Sequence, residues 1–125
     1  MTSRIQRVGD AVEITLSGPA FVHDRPRDHA PVLEKRIRFD ASGALKVAYR
    51  WEAGAFPEGA VFATEISTAE PVELRPEPEA EMWSFPIITI VRSEREIAEE
   101  TQGVSLTPRW SVGAGEAVVA LRLLR

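Results

Sequence analysis

Apolar and polar residues alternate along much of this chain with a period of two. Val12, Ile14 and Leu16 are interleaved with Glu13 and Thr15, and Leu33, Ile37 and Phe39 with Glu34, Arg36 and Arg38. The cleanest run sets Leu45, Val47, Tyr49 and Trp51 against Lys46, Ala48 and Arg50. Successive side chains of an extended strand point to opposite faces, so this pattern predicts antiparallel strands with one buried and one solvated side. Between the last two strands lies Asp40-Ala41-Ser42-Gly43. An Asp can accept from the backbone ahead of it and a Gly tolerates positive φ, so residues 32–51 are expected to form a hairpin.

Further strands are expected at 60–66, after the breakers Gly54 and Pro57-Glu58-Gly59, and at 117–124. A short strand at Val72–Leu74 is confined to a sheet edge by Pro71 and Pro76. Residues 76–81, Pro-Glu-Pro-Glu-Ala-Glu, read as an acidic loop. Residues 85–91 are apolar at both parities, with Phe85, Ile87 and Val91 on one side and Ile88 and Ile90 on the other. That predicts a central strand covered on both faces. Seven or eight short strands separated by turns define an all-β, antiparallel β-sandwich with at most one short helix. The helix is expected near 94–101, where Ser93 and Glu96 have the spacing of a capping box and Gly103 is available as a stop.

A length of 125 residues is that of a single domain, here 1–125, and too short for a catalytic barrel of roughly 250 residues plus a sandwich. The hydrophobic share of 44% and charged share of 27% are those of an ordinary soluble protein. A net charge of -4 argues against a nucleic-acid partner, which calls for a basic patch. No apolar window approaches the ~18 residues of a membrane span, and Met1-Thr2-Ser3-Arg4-Ile5 has no apolar leader core. With no cysteine, disulfides, thiol chemistry and cysteine zinc sites are excluded together, and the expected address is the cytoplasm.

Little else carries chemistry. His23 and His29, beside Asp24 and Asp28, are metal-ligating residue types in the long loop 18–31. Their spacing matches no metal signature and Arg25 and Arg27 intervene, so the segment reads as a self-paired charged loop, with no metal and no cofactor expected. The carboxylates that a glycosidase would use as acid and base crowd into 77–81 and 94–100, on expected surface rather than at the end of an apolar strand. No Ser lies in a Gly-x-Ser-x-Gly elbow, and Gly113-Ala114-Gly115 reads as a turn, not a phosphate loop. No catalytic residue is assigned. The three tryptophans remain. Exposed indole rings pack on the C–H faces of sugars, which makes Trp83, Trp110 and Trp51 the candidate carbohydrate-binding residues. Trp51 shares a face with Leu45, Val47 and Tyr49 and is expected in the core, while Trp83 and Trp110 stand at strand entrances.

The run Trp83-Ser84-Phe85-Pro86-Ile87-Ile88-Thr89-Ile90-Val91-Arg92-Ser93-Glu94, followed by Gln102-Gly103-Val104-Ser105, resembles the C-terminal β-sandwich domain of glycoside hydrolase family 57, the 4-alpha-glucanotransferase and amylase group. The resemblance covers residues 32–124, most specifically 83–110. The chain departs from the family pattern after Ser-Glu, where Arg95, Glu96 and Ile97 replace x-Gly-aromatic. The resemblance implies a sandwich related to the galactose-mutarotase type, of which this chain would be the C-terminal half or a reduced version. It implies no catalytic residue, because the family's carboxylates sit in a separate barrel. The expected function is a non-catalytic accessory domain of an α-glucan-processing enzyme, with a catalytic barrel and an α-glucan or oligosaccharide as partners. The alternative is a stand-alone carbohydrate-binding module built on the tryptophans; a small enzyme acting through His23 and Asp24 is the third reading. Half of a larger sandwich would also leave bare strand edges and an apolar face, which predicts a homodimer.

Overall fold

The computed structural model describes residues 1–20 and 30–124. The candidate metal-ligating residues His23, Asp24, Asp28 and His29 lie outside the described residues, and Gly18 and Pro19, expected in the same loop, belong to a strand. Among the described residues, ten strands and two short 3-10 turns, at Ala53–Ala55 and Val112–Ala114, make up the regular structure, and the fold is all-β and antiparallel. No helix among the described residues is long and apolar enough to cross a membrane.

The first sheet contains β1 (Thr2–Val8), β2 (Ala11–Pro19), β3 (Val32–Phe39), β4 (Leu45–Trp51), β7 (Val72–Glu77) and β10 (Glu116–Leu123), in the order β1-β2-β3-β4-β10-β7. The 32–51 hairpin forms as expected. Phe39 pairs with Leu45, the Asp40 carboxylate accepts from the Ser42 amide at 2.9 Å, and Gly43 takes a φ of 81°. The Ser42 hydroxyl donates to the same carboxylate, and these bonds, the hydroxyl's first and the amide's second, hold the Asp40 carboxyl below its ordinary pKa. Pro76 is accommodated because β7 is an edge strand, as its flanking prolines required. β1 was not apparent in the pattern. Its two apolar residues, Ile5 and Val8, are in solvent, and the strand exists by backbone pairing to β2 through a turn at Gly9, whose φ is 63°.

The second sheet is built around β9 (Ile97–Ser111), a strand of 15 residues. One edge of it carries β5 (Val61–Ala63) and β6 (Ile66–Thr68) in the same register, so they are one strand interrupted at Thr64 and Glu65. Opposite the interruption stands Pro108, which accepts from the Thr64 amide at 3.3 Å and has no N–H to return. The other edge of β9 carries β8 (Glu81–Arg92) along nearly its whole length.

The core lies between the sheets. Val47, Tyr49 and Trp51 of β4 and Ala117, Val119 and Leu121 of β10 meet Trp110, Val112 and the half-buried Phe62 and Ile66. Phe62 stacks on Trp51 at 4.4 Å between ring centroids and faces Trp110 at 6.1 Å. The Tyr49 hydroxyl reaches across to Thr64 at 2.8 Å.

Two expectations are corrected by the second sheet. First, residues 94–101 form no helix. The Ser93 hydroxyl does accept from the Glu96 amide, at 3.2 Å, but Ser93 N–H also donates to the Glu96 carbonyl at 2.9 Å. The capping-box pattern thus closes a hairpin turn between β8 and β9. Ile97 to Thr101 then pair with β8, and that ladder satisfies the backbone groups a helix would have used. Second, residues 85–91 are not a covered central strand. Ile88 is 49% exposed and Ile90 71%, and Ile97, on the same face of β9 opposite Arg92, is also 71% exposed. β6 ends at Thr68, paired with Val104, and beyond that point β8 and β9 continue as a two-stranded ribbon. Two-sided apolarity signals a need for cover, but does not say that the same segment of chain provides it.

The ribbon leaves the sheet at a bulge. Ile87 pairs with Gly103 and Ile88 with Thr101, leaving Gln102 as the extra residue, its side chain donating to Thr89 Oγ1 at 3.0 Å. Gly103 is required here by space rather than by torsion. A Cβ at this position would stand 2.2 Å from the Thr68 carbonyl oxygen.

Substitution separates the two faces of β4. Val47, 6% exposed, should lose on the order of 3 kcal/mol or more on change to Asp, which buries an unpaired carboxylate. Lys46→Asp on the solvated face should shift stability by no more than about 0.5 kcal/mol in the same denaturant titration; equal losses would contradict the register. The chain's one tyrosine gives a pH test. Burial raises the Tyr49 phenol above its ordinary 10.0, partly offset by the bond to Thr64. The folded protein therefore holds this proton more tightly than the unfolded chain. That contribution to stability is complete below pH 10.0 and is lost as pH rises through the folded value. Tyrosinate absorbance should thus appear later in a pH titration of native protein than in denaturant.

Candidate functional site

Strand parity decides which tryptophans can meet a ligand. Val104, Leu106, Pro108, Trp110 and Val112 alternate with Ser105, Thr107, Arg109 and Ser111, and the first set faces the first sheet. Trp110 is 4% exposed and its indole N–H donates to the Pro78 carbonyl at 2.8 Å. Trp51 is 5% exposed and donates to the Val112 carbonyl at 2.6 Å. Neither ring offers a face to solvent. The alternation around Trp110 was present in the sequence and is the signal by which its burial could have been found.

Trp83 is placed differently. It pairs with Thr107, on the outward face of the second sheet, and is 50% exposed. Its indole N–H donates to Glu81 Oε1 at 2.9 Å. The Arg109 guanidinium lies 4.0 Å from the ring centroid and its Nη1 is 3.7 Å from Glu81 Oε2. Glu81 and Arg109 are themselves a directly opposed cross-strand pair. The three residues close a ring of contacts in which one carboxylate takes both an indole N–H and a guanidinium, and the guanidinium covers one face of the indole. Phe85, two residues along the same face, is 47% exposed. Further along that face the Ser105 hydroxyl, itself buried, donates to Glu65 Oε1 at 2.8 Å.

An open groove of about 530 Å³ at the β3–β4 turn is lined by Ser42, Gly43, Glu73, Arg122, Leu123 and Leu124, with no aromatic ring among the described residues that line it. Among the described residues no group of three His, Asp or Glu side chains gathers as a metal site. Glu77, Glu79, Glu94, Glu96, Glu99 and Glu100 all stand in solvent.

The architecture is that of an antiparallel β-sandwich, the class the alternation predicted. No family model and no curated protein matches the sequence. Among solved structures the chain is similar to the 4-alpha-glucanotransferase from Thermococcus litoralis, with a TM-score of 0.60 and 20% identity over 98% of this chain. The match takes in 22% of that protein's length. The whole described fold therefore has its counterpart in one part of a much longer chain, and the resemblance read from Trp83–Glu94 and Gln102–Ser105 is matched by a likeness of fold.

Fluorescence checks the placement of the tryptophans. A neutral quencher such as acrylamide should reach one indole of the three, and Trp83→Phe should remove the quenchable component. Quenching that persists undiminished in the Trp83→Phe protein would mean that Trp51 or Trp110 is open to solvent.

Proposed function

We propose that this chain is a non-catalytic β-sandwich accessory unit of a carbohydrate-active enzyme that processes α-glucans. The observation that carries the reading is the continuation of the core face onto the bare ribbon. On β8 the core-side parity runs Met82, Ser84, Pro86, Ile88 and Ile90, and Ile97 of β9 shares it. Met82, Ile88, Ile90 and Ile97 are 41%, 49%, 71% and 71% exposed. Such a strip, continuous with an interior, is a surface that another body covers. The solved neighbour supports the identity of that body, since this fold makes up 22% of a 4-alpha-glucanotransferase chain. The catalytic barrel is then the natural cover, whether it lies in the same polypeptide or comes from an adjacent gene. The barrel carries the chemistry and this unit carries none.

The test is assembly. A glycoside-hydrolase barrel encoded beside or within the same reading frame should co-elute with this chain on gel filtration, and Ile88→Glu with Ile90→Glu should separate them. A barrel that elutes apart from the wild-type chain would contradict the reading, as would surroundings that encode no carbohydrate-active barrel. Purified without a barrel, the chain should cover the same strip with a second copy. Light scattering at micromolar concentration should give a dimer mass, reduced to a monomer by Ile90→Glu with Ile97→Glu.

A further inference from the structure

The face of the second sheet opposite that strip has a different composition, and it asks for a different occupant. Trp83 and Phe85 are both about half exposed there, two residues apart on one strand. Same-face neighbours on a strand are separated by roughly 6.6 Å, so the two rings could lie under consecutive pyranose rings of one chain. Around them stand a carboxylate (Glu81), a guanidinium (Arg109) and a hydroxyl (Thr107), the acceptors and donors that sugar hydroxyls require.

We infer that Trp83 and Phe85 form a binding platform for a linear α-1,4-linked glucose oligosaccharide, with Glu81, Arg109 and Thr107 at its rim. The choice of an α-glucan rests on the function proposed above; the platform itself rests on geometry. Arg109 occupies one face of the indole and Glu81 its N–H edge, and Trp83 remains half exposed beside both, which leaves the face turned from Arg109 for a sugar ring. Those two contacts also fix the ring. A side chain already held in one orientation loses little freedom on binding, which favours a weak, neutral ligand that supplies no charge of its own. A protein partner would be served better by the opposite face, where Ile88, Ile90 and Ile97 present branched aliphatic side chains between Thr101, Glu99 and Arg92 and no aromatic ring. Because alternate residues of β8 point to opposite sides, the two surfaces can be occupied together.

The experiment is a titration of the labelled chain with maltoheptaose, followed by its three indole N–H resonances and by calorimetry, with cellohexaose as the β-linked control. The Trp83 resonance should move and those of Trp51 and Trp110 should not. Trp83→Ala should weaken binding at least tenfold, Phe85→Ala should weaken it severalfold, and Ile88→Glu with Ile90→Glu should leave it unchanged. Circular dichroism reports whether each variant is folded, and the exposure of both rings makes loss of fold unexpected. No shift at millimolar maltoheptaose, or equal affinity in the Trp83→Ala protein, would overturn the platform. Equal affinity for cellohexaose would overturn its α-glucan specificity. Failure of this titration with an intact barrel complex would strike the platform alone, whereas binding without a complex would strike the accessory role alone.

Discussion

The stack of Trp51, Phe62 and Trp110 holds the two sheets together, and most other features of the molecule follow from it. The three rings come from β4, β5 and β9, with centroids 4.4 and 6.1 Å apart. Each close aromatic pair is worth about 0.5–1.5 kcal/mol beyond the area it buries. Both indole N–H groups inside the stack are satisfied by carbonyls, of Val112 and Pro78. Leaving either donor buried without a partner would cost about 1–3 kcal/mol, so these bonds fix the 3-10 turn at 112–114 and the segment at Pro78 against the core. The stack also fixes function by parity. With Trp110 turned inward, Arg109 and Thr107 must turn outward, and their cross-strand partners Glu81 and Trp83 turn with them.

How much of this was legible depended on whether a strand buries one face within the chain. β4 buries Val47, Tyr49 and Trp51 and exposes Lys46 and Arg50, so its alternation states its place directly. β1 has nothing to bury and was invisible. β8 has two apolar faces of which one continues the core and both reach solvent, and a covered central strand was the wrong inference from that pattern. Ser93 and Glu96 make one of the bonds a capping box makes, but the pairing of Ile97–Thr101 with β8 outweighs a helix of low intrinsic stability. Gly103 shows the same limit in reverse. The sequence displays Gln102-Gly103 plainly, yet only the approach of the Thr68 carbonyl shows why a side chain is excluded.

The candidate site was legible as a residue type and not as a position. Three tryptophans are equivalent in composition, and Trp83 and Trp110 both read as standing at strand entrances. The alternation from Val104 to Val112 distinguishes them, because it places Trp110 on the side of Leu106 and Pro108. What no local pattern contains is the Glu81–Trp83–Arg109 contact, since it depends on the register between two strands set by a bulge some distance away.

The proposed assembly requires that the β8–β9 ribbon, uncovered by the described residues, be covered by a partner. Amide hydrogen exchange measured across a dilution series tests it directly. Residues 88–92 and 97–101 should exchange fast in the most dilute protein and become protected as copies or a barrel associate, while Val47 and Val119 stay protected throughout. Protection of the ribbon equal to that of β4 at every dilution would mean that this chain covers its own strip, and would contradict the account.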